Sequence, residues 1–181
     1  MWALVLFRRG SLIIASIRCN ENSRSPARGD LATSDKGLVC QLCGAISFEI
    51  DSAGVVVSTN CYCANCRKVA GSQYGVYFQV RRNNFRWLSG ADHIASYESS
   101  PGNKRAFCPT CGSVAPIATS YGAVRVPGGA LDDDPGVVPK VVIFAESKTG
   151  WCAADDATQV FADAGPREFW SDVIGRLFRG S

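Results

Sequence analysis

The sequence has a single histidine and no long apolar run. His93 stands alone among 181 residues, and this argues against catalysis by a Ser-His or Cys-His pair. His93 lies in a polar turn, so we expect it at the surface rather than bound to a metal. No segment reaches the roughly 18 to 20 apolar residues that span a membrane as a helix. We therefore expect no membrane partner and no histidine-based catalysis.

Charge and composition exclude further classes. The chain carries 19 basic and 16 acidic side chains, for a net charge of +3. It also lacks a basic stripe with interleaved aromatic residues, so nucleic-acid binding is not expected. Hydrophobic residues make up 46% of the chain, which excludes a wholly disordered protein. The nine cysteines are about 5% of the residues, below the roughly 8 to 10% that marks a disulfide scaffold.

The first 36 residues differ from the rest of the chain. Two short apolar runs flank Arg8 and Arg9, and a polar stretch rich in Ser, Arg and Gly follows. We predict that residues 1–36 are a disordered or mis-started leader, with a targeting segment as the alternative. Cys19 is the one cysteine of this leader, and we expect it to be an unpaired thiol.

Residues 37–165 are predicted to form a mainly β domain. Ile46, Phe48 and Ile50 alternate with polar residues, which is typical of a half-buried strand. Turns rich in Gly, Pro and Asn separate further strands, which we expect to pair antiparallel. The predicted strands cover residues 46–50, 55–58, 74–80, 85–88, 105–107, 124–126 and 141–145. Residues 166–181 are predicted to form one C-terminal helix that begins at Pro166.

Seven of the nine cysteines fall into three tight clusters. The outer two, Cys40/Cys43 and Cys108/Cys111, each span two intervening residues and end in glycine. A glycine there can adopt the positive φ that turns backbone amides toward the sulfurs. Together the two pairs supply four thiolates, which fill a tetrahedral zinc site and leave no position for a substrate. We predict a structural zinc ion there.

The middle cluster places Cys61, Cys63 and Cys66 within six residues. Three thiolates can hold one metal and leave a fourth position open, as a catalytic zinc requires. A soft vacancy of this kind suits a substrate thiolate. The alternative is a closed site whose fourth ligand is Cys152, His93 or an acidic residue.

Several cations lie near the cysteines in sequence. Arg67 and Lys68 follow Cys66, Lys104 and Arg105 precede Cys108, and Lys148 lies close to Trp151. If the fold gathers them, they would attract an anionic thiol, although single surface cations are usually only solvated.

These motifs occur in an order that resembles the glutathione-dependent formaldehyde-activating enzyme family, which also contains centromere protein V. The resemblance covers about residues 37–161, and the matching segments lie at residues 43–46, 61–68, 97–102, 104–113, 131–133 and 143–151. Two departures are the wider spacing of Cys40 and Cys43, where the family has one intervening residue, and the extra acidic residue at Asp134.

The resemblance implies a β-tent fold of packed antiparallel sheets and two zinc ions. Cys40, Cys43, Cys108 and Cys111 would hold the structural ion, and Cys61, Cys63 and Cys66 the catalytic one. Arg67, Lys68, Lys148 and Trp151 would shape the thiol pocket. The implied activity is that of a cytoplasmic carbon–sulfur lyase, which joins glutathione and formaldehyde to S-hydroxymethylglutathione. The alternative is a non-catalytic zinc module of the same fold that binds a protein.

Overall fold

The computed structural model describes the backbone of residues 2–8, 11–17, 37–40, 42–152, 157 and 159–179. Side chains are described for residues 42–152, 157 and 159–179. The chain divides into two compact units, Met1–Thr33 and Ser34–Ser181. In the first unit, β1 (Trp2–Arg8) pairs antiparallel with β2 (Ser11–Ile17). Cys19 and much of the expected leader lie outside the described residues, so the role of residues 1–36 stays a prediction.

The second unit is mainly β, as the sequence predicts. Its strands are β3 (Gly37–Cys40), β4 (Ser47–Ile50), β5 (Val55–Cys61), β6 (Gly75–Arg81), β7 (Phe85–Ser89), β8 (Ala95–Ser100), β9 (Asn103–Phe107), β10 (Val114–Ala115), β11 (Ile117–Ala118), β12 (Ala123–Pro127), β13 (Val141–Ile143) and β14 (Gln159–Val160). They form a six-stranded sheet of order β11-β12-β6-β5-β13-β14 and two three-stranded sheets, β3-β4-β7 and β10-β9-β8.

Two helices complete this unit. α1 (Ala64–Ala70) follows the end of β5, and α2 (Arg167–Phe178) lies near the C-terminus. The predicted C-terminal helix is confirmed, but Pro166 is its N-cap, with extended backbone, rather than its first helical residue. No helix of the described residues is long and apolar enough to cross a membrane.

The main core lies between two of the sheets. Phe48 and Ile50 of β4 pack against alternate residues of β6 and β12, which are Phe78, Val80, Val124 and Val126. All six are nearly or fully buried, and a buried side chain of this kind contributes roughly 1.5 to 3 kcal/mol relative to an exposed one. This packing fixes which face of the six-stranded sheet points away from the core.

The opposite face of that sheet carries the site. Successive side chains on a strand point to opposite faces, so Tyr77 and Gln79 lie on the face opposite to Phe78 and Val80. Arg125 pairs with Gln79 in the β12–β6 register and shares this face. Cys61 ends the neighbouring strand β5, opposite Gly75 of β6. At the far end of this face, Val173 of α2 packs against β5 and β13.

The sequence prediction misses five short strands of this unit, β3, β8, β10, β11 and β14, and two further features differ from it. β13 runs parallel to both β5 and β14, whereas we expect only antiparallel pairs from the sequence. α1 is not predicted either, because its seven residues contain the last cysteine of the middle cluster and show too little apolar periodicity. This helix is what turns the third cysteine toward the other two.

Candidate active site

The structure brings Cys61, Cys63 and Cys66 together. Their three sulfur atoms all lie within 4.8 Å of one another. Cys63 is the N-cap of α1, and its Sγ accepts a hydrogen bond from the backbone N–H of Cys66 at 3.4 Å. The helix ends at Ala70, and its C-cap is Gly71, whose φ is 59°. The end of β5 and the first turn of α1 therefore bring the three thiols together.

A second layer of polar contacts surrounds Cys66. Arg105 of β9 donates hydrogen bonds to Cys66 Sγ at 3.5 Å, to Tyr77 Oη at 3.3 Å and to Ser99 Oγ at 3.1 Å. Cys66 is only 5% exposed and Tyr77 only 8%. The guanidinium charge therefore acts on the sulfur in a largely water-excluded environment, where electrostatic contacts are stronger than in water.

The surroundings of Cys66 make it a much stronger acid than Cys61. A hydrogen bond from the Cys61 thiol lowers the pKa of Cys66 to about 5, and the Tyr77 hydroxyl and the Arg105 charge add to this against the opposing effect of burial. The same Cys61–Cys66 hydrogen bond, with burial, raises the pKa of Cys61 far above its usual range. Burial and the negative charge on Cys66 also raise the pKa of Tyr77, which keeps its phenol protonated at neutral pH.

A cavity of about 280 Å³ adjoins this cluster. Tyr77 and Arg105 line it, and both contact Cys66, although none of the three cysteines lines the cavity itself. Lys104 and Arg125 also line it, so its wall holds three cations among mainly apolar residues. This lining suits a ligand that carries a negative charge and a small apolar portion.

The second cluster contains Cys43, Cys108 and Cys111, whose sulfurs also lie within 4.8 Å of one another. Gly44 and Gly112, which follow the two cysteine pairs, have φ of 75° each, as the sequence predicts. Backbone N–H groups of Cys111 and Thr110 lower the pKa of Cys108 to about 7, although burial works in the opposite direction. Cys40 ends β3 opposite Ser47, but its side chain lies outside the described residues, so its part in this cluster stays a prediction.

Both triads fit a soft divalent cation. Around a tetrahedral zinc with Zn–S distances near 2.3 Å, two sulfurs lie about 3.8 Å apart, and the Cys43 and Cys108 sulfurs are separated by 3.7 Å. In the middle triad Arg105 offsets part of the negative charge that three thiolates would carry. The structure thus contains two cysteine triads that could bind metal ions, consistent with zinc.

The alternative fourth ligands do not join the middle triad. Within the described part of the chain, no other Cys, His, Asp or Glu places a ligand atom close enough to join these three sulfurs. Cys152 contacts Thr149 Oγ1 at 3.1 Å. His93 is exposed, and its Nε2 lies 2.7 Å from Thr110 Oγ1, beside the other cluster.

The four predicted pocket residues do not line the cavity described above. Arg67 Nε donates to the carbonyl of Tyr62 at 3.1 Å, and Lys148 Nζ lies 5.2 Å from the centre of the Tyr62 ring. Lys68 is exposed on α1, and Trp151 is 67% exposed. Arg67 and Lys148 therefore support the buried tyrosine between Cys61 and Cys63, and a role for all four in thiol binding stays a prediction.

Sequence reasoning missed Tyr77 and Arg125. Neither belongs to a cysteine motif, and both reach the site through strand register. The sequence signal is the alternation of core-facing and outward-facing residues along the two strands. It indicates that both residues face away from the core, but not which other residues share that face.

Comparison with known proteins agrees with the motif order. The sequence model of the family described as "Glutathione-dependent formaldehyde-activating enzyme" matches residues 38–147, more than half of the chain. The chain belongs to this family. The predicted resemblance is confirmed, and both triads fall within the matched region of this family member.

A solved protein of Rhodobacter sphaeroides, a structural genomics target, is similar in structure to this family member. The similarity covers 56% of this chain and 97% of that protein, with 22% sequence identity and a TM-score of 0.45. The family assignment rests on the sequence match alone.

Proposed function

We propose that this protein is a zinc-dependent carbon–sulfur lyase that joins and splits a thiol–aldehyde adduct, with glutathione and formaldehyde as the reactants. The observation that carries this proposal is a cation-lined cavity two of whose lining residues, Tyr77 and Arg105, contact Cys66 of the cysteine triad. Family membership supports the choice of reactants.

The triad would hold the catalytic zinc. When bound, this ion would stabilise a substrate thiolate at neutral pH. Arg105 keeps Cys66 oriented through its hydrogen bond to the sulfur, and Ser99 in turn orients the guanidinium. Cys43, Cys108 and Cys111, with Cys40 as the predicted fourth ligand, would hold the structural ion.

In the forward direction the thiol loses its proton and its sulfur attacks the aldehyde carbon. The C–S bond forms, the carbonyl π electrons move to oxygen, and the oxygen takes up one proton, so that the products balance thiol plus aldehyde. Tyr77 lines the cavity and keeps its phenol proton. Its hydroxyl donates to Cys66 and accepts from Arg105, so in this proposal Tyr77 holds the ligand sulfur and the guanidinium in position beside the reacting thiol. The reverse direction splits the same bond.

Cobalt substitution tests the proposal. Glutathione added to the cobalt-loaded protein should alter the sulfur-to-cobalt absorption, because a thiolate enters the open position, whereas thiol-blocked S-methylglutathione should leave it unchanged. Acceleration of S-hydroxymethylglutathione formation above the spontaneous rate, followed by NMR exchange, should accompany this change. An absorption spectrum that does not change when glutathione is added would contradict the proposal and favour the non-catalytic interaction module.

A further inference from the structure

Arg125 has hydrogen-bonding capacity that the protein does not use. Its Nη2 donates to the Lys104 carbonyl at 3.1 Å, and its guanidinium carbon lies 5.7 Å from the centre of the Tyr77 ring. Its charge also acts on the Tyr121 hydroxyl, but no further hydrogen bond or ion pair of its side chain is found among the described residues, and Arg125 lines the cavity. The remaining N–H groups of its planar fork are therefore available to a ligand there, in the geometry that suits a carboxylate.

The charge around Arg125 is one-sided. Of the described residues that line the cavity, three are cations and none is Asp or Glu. Glu98 faces Lys104 across the β8–β9 pair, but its Oε1 accepts the N–H of Gly102 at 2.7 Å. Arg105 is already committed to Cys66, Tyr77 and Ser99. Arg125 and Lys104 are thus the cations of this cavity that are open to an anion, and only Arg125 offers it a planar fork.

Arg125 and Cys66 both contact Tyr77. The Arg125 guanidinium lies 5.7 Å from the centre of the ring and the Tyr77 hydroxyl bonds the Cys66 sulfur, so a ligand that follows this ring would reach from one to the other. In an extended tripeptide, a cysteine sulfur and the carboxylate of the next residue lie about 7 Å apart. A thiol directed at the triad would therefore place that carboxylate near Arg125.

We propose that Arg125 is a specificity-determining residue that binds the glycyl carboxylate of glutathione. This inference rests on the proposed function and specifies which end of the substrate enters the cavity. The γ-glutamyl end carries an ammonium beside its carboxylate, and a wall with three cations and no acid disfavours that ammonium. The glycyl end carries a lone negative charge and suits the wall.

The test uses the zinc-loaded full chain and S-methylglutathione, whose blocked sulfur makes binding independent of the metal. Calorimetry compares this ligand with its glycyl monoethyl ester, in the wild type, in Arg125→Gln, in Arg125→Lys and in Arg82→Gln. Arg82 is an exposed arginine remote from the cavity lining and serves as the matched control. Zinc content and circular dichroism establish that each variant is folded.

We expect esterification to weaken wild-type binding about 10- to 100-fold, since a charge-assisted hydrogen-bonded pair is lost. The Arg125→Gln variant should bind S-methylglutathione more weakly than the wild type to the same degree, and it should bind acid and ester equally. Arg125→Lys should recover part of the discrimination, and Arg82→Gln should retain all of it.

Equal binding of acid and ester by the wild type would overturn the inference, and so would undetectable S-methylglutathione binding or unchanged discrimination in Arg125→Gln. If Arg125→Gln does not fold, the acid–ester comparison on the wild type decides. These failures are separate from failure of the proposed function, which the cobalt spectrum with free glutathione reports.

Discussion

At the scale of single residues, Cys63 has two roles that one substitution separates. Its Sγ caps α1 and is one of the three sulfurs of the triad. Serine is among the best N-cap residues, so Cys63→Ser should retain the helix while removing a soft ligand. We expect zinc content to fall from two ions per chain to one, with a melting temperature close to that of the wild type.

Cys152→Ser is the matched control for this variant, because Cys152 belongs to neither triad. It should keep two zinc ions per chain. Metal analysis together with thermal unfolding of both variants checks the prediction, and a Cys63→Ser protein that unfolds along with losing its zinc would contradict the separation of roles.

Tyr77 gives a second prediction at this scale. Tyr77→Phe removes the hydroxyl that contacts Cys66 and Arg105 but keeps the ring. Partners of metal ligands typically contribute 10- to 100-fold to metal affinity, so we expect the middle site to lose at least about 10-fold in zinc affinity in competition with a chromophoric chelator. Tyr121→Phe, which loses a hydroxyl bonded to Gln79 Oε1, should leave that affinity unchanged.

The ligands of the middle site could be predicted from spacing, but their polar surroundings could not. Three cysteines in six residues are close along the chain whatever the fold does. Tyr77 and Arg125 share one face only because β5, β6 and β12 pair in one particular register, and they meet Arg105 and the Lys104 carbonyl because β9 of another sheet lies beside that face. A shift of one residue would place Tyr77 in the core, and a single sequence carries no direct signal of which register is formed.

At the scale of elements, α2 stabilises the face of the sheet that carries the site. Val173 and Leu177 are 1% and 7% exposed, whereas the adjacent Phe178 is 64% exposed. Leu177→Ala should lower the free energy of unfolding by about 2 to 4 kcal/mol, because it removes buried methyl groups and leaves a cavity. Phe178→Ala should cost less than half as much.

Urea unfolding of the zinc-loaded protein checks this pair of variants. Similar losses in both would mean that the helix does not pack on the sheet through the face that ends with Leu177. The helix itself was predictable, because apolar residues recur at helical spacing over twelve residues. The parallel strand β13 was not, since three residues carry no sign of their direction.

At the scale of the whole molecule, the second triad joins parts of the chain that are distant in sequence. Cys43 follows the strand β3, whereas Cys108 and Cys111 lie between β9 and β10. Structural zinc contributes about 10 to 16 kcal/mol in small zinc domains, as much as the entire stability of a typical domain.

Cys111→Ser should therefore unfold much of the second unit, in contrast to Cys63→Ser. We expect loss of both zinc ions and of the cooperative thermal transition measured by circular dichroism. A chelator strong enough to remove both ions from the wild type should produce the same state. A cooperative Cys111→Ser protein that still holds one zinc would show that this cluster is dispensable for folding.

The strand β9 sets the distance between the two clusters in a way that composition alone does not show. Arg105 touches Cys66 of one cluster, and three residues later Cys108 belongs to the other. Because side chains alternate along a strand, one residue inserted between them would turn Arg105 to the opposite face while every cysteine motif stayed intact. A family member with such an insertion would still read as a two-metal protein but would lack the guanidinium beside its thiol site. The length of this short segment is therefore a better guide to an intact site than the number of cysteines.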